Sequence, residues 1–237
     1  MPSTLDPVAY ADRGTALTGW LARPAGAPRA AVVVFPTIAN IGPGVEQRAR
    51  MLAEAGFLAM VADFYGVPGA TLDEARALAG PLKADVDHFR ARLIAAVEAL
   101  RAVPEAKGLR LAAIGFCQGG QAVLELARAG VDLAFVASFH GLLGTDRRAA
   151  ADAAHKPRVL VCHGDADPLA PRSAVVALWE ELDAAGYDWH FHAYSGVKHG
   201  FTDPANINSS RPGIGYDASA DRQSWAALLN LADEVLG

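Results

Sequence analysis

The sequence predicts an α/β protein with a mostly parallel sheet covered by helices on both faces. Three observations carry this. Aliphatic, β-branched runs such as Ala30 to Phe35 recur along the chain, the kind of strand buried on both sides of a parallel sheet. Segments of helical period alternate with them. Polar, chemistry-bearing residues cluster just after the apolar runs, at the strand ends where such sheets place ligands.

Leu17 to Arg23 alternates and reads as an early strand. Ala30 to Phe35 is a continuous buried strand. Val45 to Ala55 reads as a helix stopped by Gly56, and Phe57 to Ala62 as the next buried strand. Lys83 to Val103 carries apolar residues at helical spacing through Val86, Phe89, Leu93, Val97 and Leu100. Its charged residues form a solvated face. Leu109 to Ile114 reads as a strand and Gln121 to Arg128 as a helix. Strands follow at Leu133 to Ser138, Arg158 to Cys162 and Trp189 to Tyr194, with helices from about Ser173 to Ala185 and from Arg222 to Leu236. No repeat, low-complexity tract or long linker interrupts them, so residues 1–237 read as one domain.

Composition narrows the function classes. Of 237 residues, 52% are apolar and 20% charged, which suits a globular chain with ample core. The net charge of −5 gives no electrostatic case for nucleic acid or an anionic membrane. Met1 to Tyr10 lacks a secretory leader pattern, and no apolar stretch is long enough to span a bilayer. Cys117 and Cys162 are the only cysteines, so there is no disulfide framework, and a reduced, cytoplasmic setting is expected.

Gly115-Phe116-Cys117-Gln118-Gly119-Gly120 has the form of a nucleophile elbow with cysteine at its apex. A sharp strand-to-helix turn lifts that side chain out of the sheet, and the flanking glycines suit a turn with no room for a Cβ. Backbone N–H groups at the helix start face the same space and can hold an oxyanion. His163-Gly164-Asp165-Ala166-Asp167-Pro168 follows a second strand, and Val197-Lys198-His199-Gly200-Phe201 follows a third. Nucleophile, acid, histidine is the triad order of α/β-hydrolases. The thiol needs a base, and the imidazole needs an acid to fix its tautomer. A phosphate loop is excluded, because the lysine and Ser/Thr of that motif are missing.

These residues resemble the dienelactone hydrolase family. The likeness runs over nearly the whole chain. It includes Val-Val-Val-Phe-Pro-Thr, Ala62-Asp63-Phe64-Tyr65-Gly66, Gly-Phe-Cys-Gln-Gly-Gly, His-Gly-Asp-Ala-Asp-Pro, Lys-His-Gly-Phe and the tail Tyr216-Asp217, Ala220-Asp221-Arg222 and Trp225. The resemblance implies a compact α/β-hydrolase fold with a Cys-Asp-His triad and no cofactor or metal. It puts the nucleophile on Cys117, the base on His199 and the acid on Asp167, because the family pattern has a proline four residues beyond the acid, as Pro171 is here. Asp165 is the competitor. Elbow and family together assign the oxyanion donors to the backbone N–H groups of Gln118 and Ile38.

Two residues depart from the dienelactone-cleaving members. Thr37 stands where they carry a glutamate that contacts the resting thiol, so Cys117 is expected to pair directly with His199 and to titrate at low pH. Asp203 stands where they carry an arginine for the substrate carboxylate, and an aspartate there repels an anion. The expected substrate is therefore a small ester or lactone other than dienelactone. The segment between the strands at Leu133 and Arg158 is too short for a large cap domain, so an open site is expected.

Strand-end position makes Phe35, Phe64, Tyr65, Phe139 and Phe201 candidates for lining the pocket, His140 and His163, each before a glycine after a strand, further neighbours, and Thr37, in the glutamate's place, a candidate for substrate contact. Asn206 to Tyr216 is loop chemistry close behind His199, which adds Tyr216. Arg222 either binds an anionic group or pairs with Asp217 or Asp221 at the last helix. Cys162, inside an apolar strand, reads as structural. His190 and His192 share a strand face but lack a third ligand, so no metal is expected. The expectation is a monomeric or homodimeric ester or lactone hydrolase. Its rivals are a thioesterase or acyltransferase on the same machinery, and a non-catalytic ligand-binding or thiol redox-sensing protein.

Overall fold

The computed structural model describes residues 5–67 and 71–237. Residues 1–4, which begin the Met1 to Tyr10 stretch, lie outside them. The elements run β1 (Asp6–Asp12), β2 (Thr15–Ala22), β3 (Ala30–Phe35), α1 (Pro43–Glu54), β4 (Phe57–Val61), α2 (Leu72–Ala84), α3 (Val86–Arg101), β5 (Leu111–Phe116), α4 (Gln118–Arg128), β6 (Phe135–Phe139), β7 (Arg158–Gly164), α5 (Arg172–Ala185), β8 (Trp189–Tyr194) and α6 (Ala218–Leu236). They build one eight-stranded sheet in the order β1-β2-β4-β3-β5-β6-β7-β8. β1 with β2 and β2 with β4 pair antiparallel, while β3–β4, β6–β7 and β7–β8 pair parallel. Every residue of β3, β4, β5 and β6 is buried, as continuous apolar runs require when both faces are covered.

Several boundaries differ from the sequence expectation. β1 was not expected, because its Asp-Pro-Val-Ala-Tyr-Ala-Asp is half-exposed and lies at the sheet edge, where proline and aspartate are tolerated. The helix expected from Lys83 to Val103 is α3 over Val86–Arg101 only, because Lys83 and Ala84 end α2, a separate helix with Pro81 inside, and Arg90 and Arg92 on the face expected to be solvated are buried. The Thr71 hydroxyl accepts from the Glu74 N–H, and the Glu74 carboxylate accepts from the Thr71 N–H, which starts α2 in a region of weak periodicity. α4 starts at Gln118 rather than Gln121, β7 runs on through His163 and Gly164, and α6 begins at Ala218, capped by the Asp217 carboxylate on the Ala220 N–H.

The chain divides into two compact units, residues 1–113 and 114–237, with the boundary inside β5. In the first, Asp63 just after β4 anchors the loops. Its carboxylate accepts from Asn40 Nδ2 (2.7 Å), the N–H groups of Tyr65 (2.9 Å) and Gly66 (2.8 Å), and the Thr18 N–H (3.0 Å). In the second, Arg128, Glu125 and Glu181 form a buried ion cluster. Arg128 also donates to the Leu143 carbonyl and Glu181 accepts from the Ala149 N–H, which fixes the segment after β6. Among the described residues no cap domain stands between β6 and β7, and no helix is long and apolar enough to cross a membrane.

Candidate active site

Cys117 sits between β5 and α4 with φ 56° and ψ −114°, a backbone that non-glycine residues rarely adopt. The reason is steric. A Cβ on Gly115 would lie 2.0 Å from the Gly119 carbonyl oxygen, so the chain turns here only with glycine in that place. A second close approach occurs where a Cβ on Gly120 would lie 2.6 Å from the Gly141 Cα. The thiol is half-buried at the N-terminus of α4, where helix N–H groups favour a thiolate. The Gln118 N–H opens that helix and belongs to the first turn, whose N–H groups find no partner within the helix.

The acid and the histidine are brought together by the ends of β7 and β8. The Asp165 N–H donates to the Tyr194 carbonyl and the Ala166 N–H to the Val197 carbonyl, both at 2.9 Å. Gly164 permits this approach, since a Cβ there would lie 2.5 Å from the Val197 oxygen. The Asp167 Oδ2 meets His199 Nδ1 at 2.7 Å, and the Leu169 N–H donates to Oδ1 at 2.8 Å. Asp165 is engaged elsewhere, accepting from Arg172 Nε (2.8 Å) and Nη2 (2.7 Å). That ion pair holds the Asp165 carboxyl below its usual range. The carboxylate at the histidine is therefore Asp167, not Asp165.

His199 hydrogen-bonds Asp167 on one side and the Cys117 side chain on the other. Burial pushes its pKa down. The hydrogen bonds to Asp167 and Cys117, with the charges of both, outweigh burial and raise it to about 10. The segment predicted to be loop folds back to hold it: the His199 N–H donates to the Gly213 carbonyl and the Gly215 N–H to the His199 carbonyl. The three side chains thus form an acid, imidazole and thiol relay able to hold a thiolate beside an imidazolium.

Several expected substrate contacts turn inward. His140 is 2% exposed, with Nδ1 accepting from the Cys117 N–H at 3.1 Å and Nε2 against Thr202 Oγ1 at 2.8 Å. Phe201 is fully buried, edge-on to His140 and to Tyr194. Phe64 is core, packed with Phe35, Tyr65 and Phe89. Strand-end position located these residues, but ring direction depends on packing. Tyr216 is half-buried and donates to Asp221 Oδ2 at 3.3 Å. Arg222 is exposed on α6, while the Asp217 carboxylate accepts from the Ala220 N–H and Asp221 from the Tyr216 hydroxyl. Asp203, the other departure, caps the turn Pro204–Asn206 through the Ala205 N–H.

In the first unit, Thr37 opens a turn in which the Asn40 N–H donates to the Thr37 carbonyl (2.9 Å) and the Thr37 hydroxyl accepts from the Ala39 N–H (3.3 Å). Asn40 adopts φ 64°, donates to Asp63 and accepts from the Phe64 N–H. Tyr65 is buried and its hydroxyl donates to the Ile38 carbonyl at 3.3 Å. Asn40 and Thr202 escaped the sequence reading. An asparagine two residues past Ile38 was the available signal for the first, and nothing marked the second.

Two other groups are chemically quiet. Burial raises the Cys162 thiol to about 12, which makes it unreactive. His163 is buried with neither ring nitrogen hydrogen-bonded among the described residues, and burial lowers its pKa, leaving it neutral. A groove of about 430 Å³ between β8 and α6 is lined by Leu160, His190, His192, Tyr194, Leu231 and Glu234 among others, and holds no member of the relay. Among the described residues no three His, Cys, Asp or Glu side chains are grouped to hold a metal.

The model of the dienelactone hydrolase family matches residues 17–236. Over 148 residues the chain is 37% identical to the uncharacterized protein K02A2.1 of Caenorhabditis elegans, spanning 62% of this chain and 94% of that one. The structure of a dienelactone hydrolase-like promiscuous phosphotriesterase, P91, from metagenomic libraries superposes with a TM-score of 0.91 at 36% identity over 99% of each chain. Esterase 2 of Thermogutta terrifontis, phosphonylated by cyclosarin, shares the fold at a TM-score of 0.71 and 18% identity, covering 99% of this chain and 95% of that one.

Proposed function

This chain belongs to the dienelactone hydrolase family, and we propose that it hydrolyses small carboxylic esters or lactones through a thioester on Cys117. The observation that carries the reading is the hydrogen-bonded relay from Asp167 through His199 to the Cys117 side chain. The thiolate attacks the carbonyl carbon. The Gln118 N–H and, by family resemblance, the Ile38 N–H stabilise the oxyanion. His199 gives its proton from Nε2 to the leaving alkoxide, because Nδ1 is held by Asp167. The neutral imidazole then takes a proton from water, whose oxygen attacks the thioester. The second tetrahedral species expels the thiolate and leaves acid and alcohol as products. A reducing cytoplasm would keep the thiol available.

Substrate selection follows from the departures. By family resemblance, Asp203 stands where dienelactone-cleaving members carry an arginine for the substrate carboxylate, so neutral esters and lactones fit better. The phosphotriesterase name of the relative at 36% identity makes neutral phosphotriesters a second electrophile class for this thiolate. The test is hydrolysis of p-nitrophenyl acetate by the native protein and by Cys117→Ala, both checked for folding. A loss of at least about 10⁴-fold in kcat is expected. Equal rates would contradict the reading and favour ligand binding or thiol redox sensing.

A further inference from the structure

We propose that His140 is a positioning residue for the Cys117 elbow, and that it works only as the neutral imidazole protonated at Nε2. The proposal rests on Cys117 being the nucleophile. His140 Nδ1 accepts from the Cys117 backbone N–H, so that nitrogen carries no proton. Nε2 then carries it and donates to Thr202 Oγ1. One ring thereby ties the residue bearing the sulfur to the loop bearing His199, which lies three residues before Thr202. The Cys117 N–H is shared with the Phe139 carbonyl at 3.0 Å, so the elbow hangs on two consecutive residues of one strand end.

Cys117 has φ 56° and His140 has φ 40°, and these two non-glycine residues in the left-handed region bond to each other. Strained residues persist where their surroundings over-determine them, and here each supplies part of the other's restraint. The His140 N–H donates to the Cys162 carbonyl at 2.8 Å, so β7 holds the histidine's backbone while its ring holds the elbow. The ring stands edge-on to His199, with centroids 5.1 Å apart, and edge-on to Phe201 at 5.3 Å.

Protonation of His140 places a hydrogen on Nδ1, directly opposite the Cys117 N–H. It also sets a second cation beside the His199 imidazolium. Among the described residues, the groups facing the ring include Cys117 from the start of α4, Phe116 from β5, and His199, Phe201 and Thr202 from the loop after β8. Asp167 lies on the other side of His199, and β7 presents the Cys162 carbonyl. His140 protonation therefore disables turnover on the acid side while the Cys117–His199 pair still holds a thiolate.

The test compares the native protein with His140→Asn and His140→Leu, using p-nitrophenyl acetate turnover normalised to iodoacetamide-reactive Cys117. Asparagine tolerates a positive φ and accepts through an amide oxygen that does not titrate. Expected results are an acid limb of kcat/KM in the native protein at higher pH than the acid limb of alkylation, and its shift by about one pH unit or more toward acid in His140→Asn. His140→Leu should lose about 10²-fold in kcat with KM little changed. An unchanged acid limb in the asparagine variant, or native kcat in the leucine variant, overturns the proposal. Nitrogen-15 NMR of the native histidine rings reads it without any variant: a proton on His140 Nδ1 at neutral pH also overturns it. Failure of the nucleophile reading shows separately, as turnover that survives complete alkylation of Cys117.

Discussion

Asp63 and Asp167 are both buried carboxylates just beyond a strand, and they do opposite things. Asp63 accepts from the Asn40 side chain and from three backbone N–H groups. Its oxygens are saturated by fixed neutral donors. Asp167 accepts from one backbone N–H and turns its other oxygen to an imidazole whose pKa is raised to about 10. A carboxylate filled with backbone donors fixes loops. A carboxylate that shares a histidine with a thiol keeps a movable proton on the imidazole. Strand-end position alone does not separate the two roles; the identity of the donors does.

The largest effect that sharpens the contrast is at Asp167. Asp167→Asn should fold and lose about 10³–10⁴-fold in kcat, because the imidazole loses its tautomer and its stabilised charge. Asp165→Asn, whose carboxylate faces the exposed Arg172, should leave kcat within about twofold. Comparable losses from both would break the assignment.

Next in size is the pH dependence. A histidine pKa raised to about 10 means that the imidazolium is present below that pH and lost above it. The acylation step, which needs its proton for the leaving group, should fall away as pH rises through about 10. A stopped-flow acylation profile that instead falls near pH 7 would contradict the thiolate–imidazolium pair.

Asp63→Asn should act on stability more than on chemistry. Replacing one carboxylate oxygen by an amide group leaves backbone donors without an acceptor and costs about 1–3 kcal/mol in urea denaturation. Its kcat per folded molecule should fall far less than that of Asp167→Asn. The reverse ranking would mean that the Asp63 network, not the relay, limits the reaction.

Much of this was legible in the sequence because burial imposes composition. β3, β4 and β8 occupy the spans their apolar runs and patterns predicted, to within a residue. The elbow was legible because steric exclusion of a Cβ forces glycine at Gly115. β1 was not legible, since a half-exposed edge strand carries little hydrophobic pattern. α2 hid behind Gly80 and Pro81, although Thr71 and Glu74 announced its start. At the site, sequence order brought out Cys117, His199 and the pair Asp165 and Asp167, and the family resemblance chose Asp167, but neither could say which way His140, Phe64 and Phe201 point. Those directions come from packing between elements distant in sequence, and Thr202 gained its place only through such a contact.

The central claim is a covalent thioester, and it is read most directly by acid-quenching the native protein during p-nitrophenyl acetate turnover and mapping its peptides by mass. One acetyl group is expected on the peptide carrying Cys117, released by hydroxylamine, and none on the peptide carrying Cys162. Sustained turnover with no acyl group on Cys117 during a rapid-quench burst would contradict it.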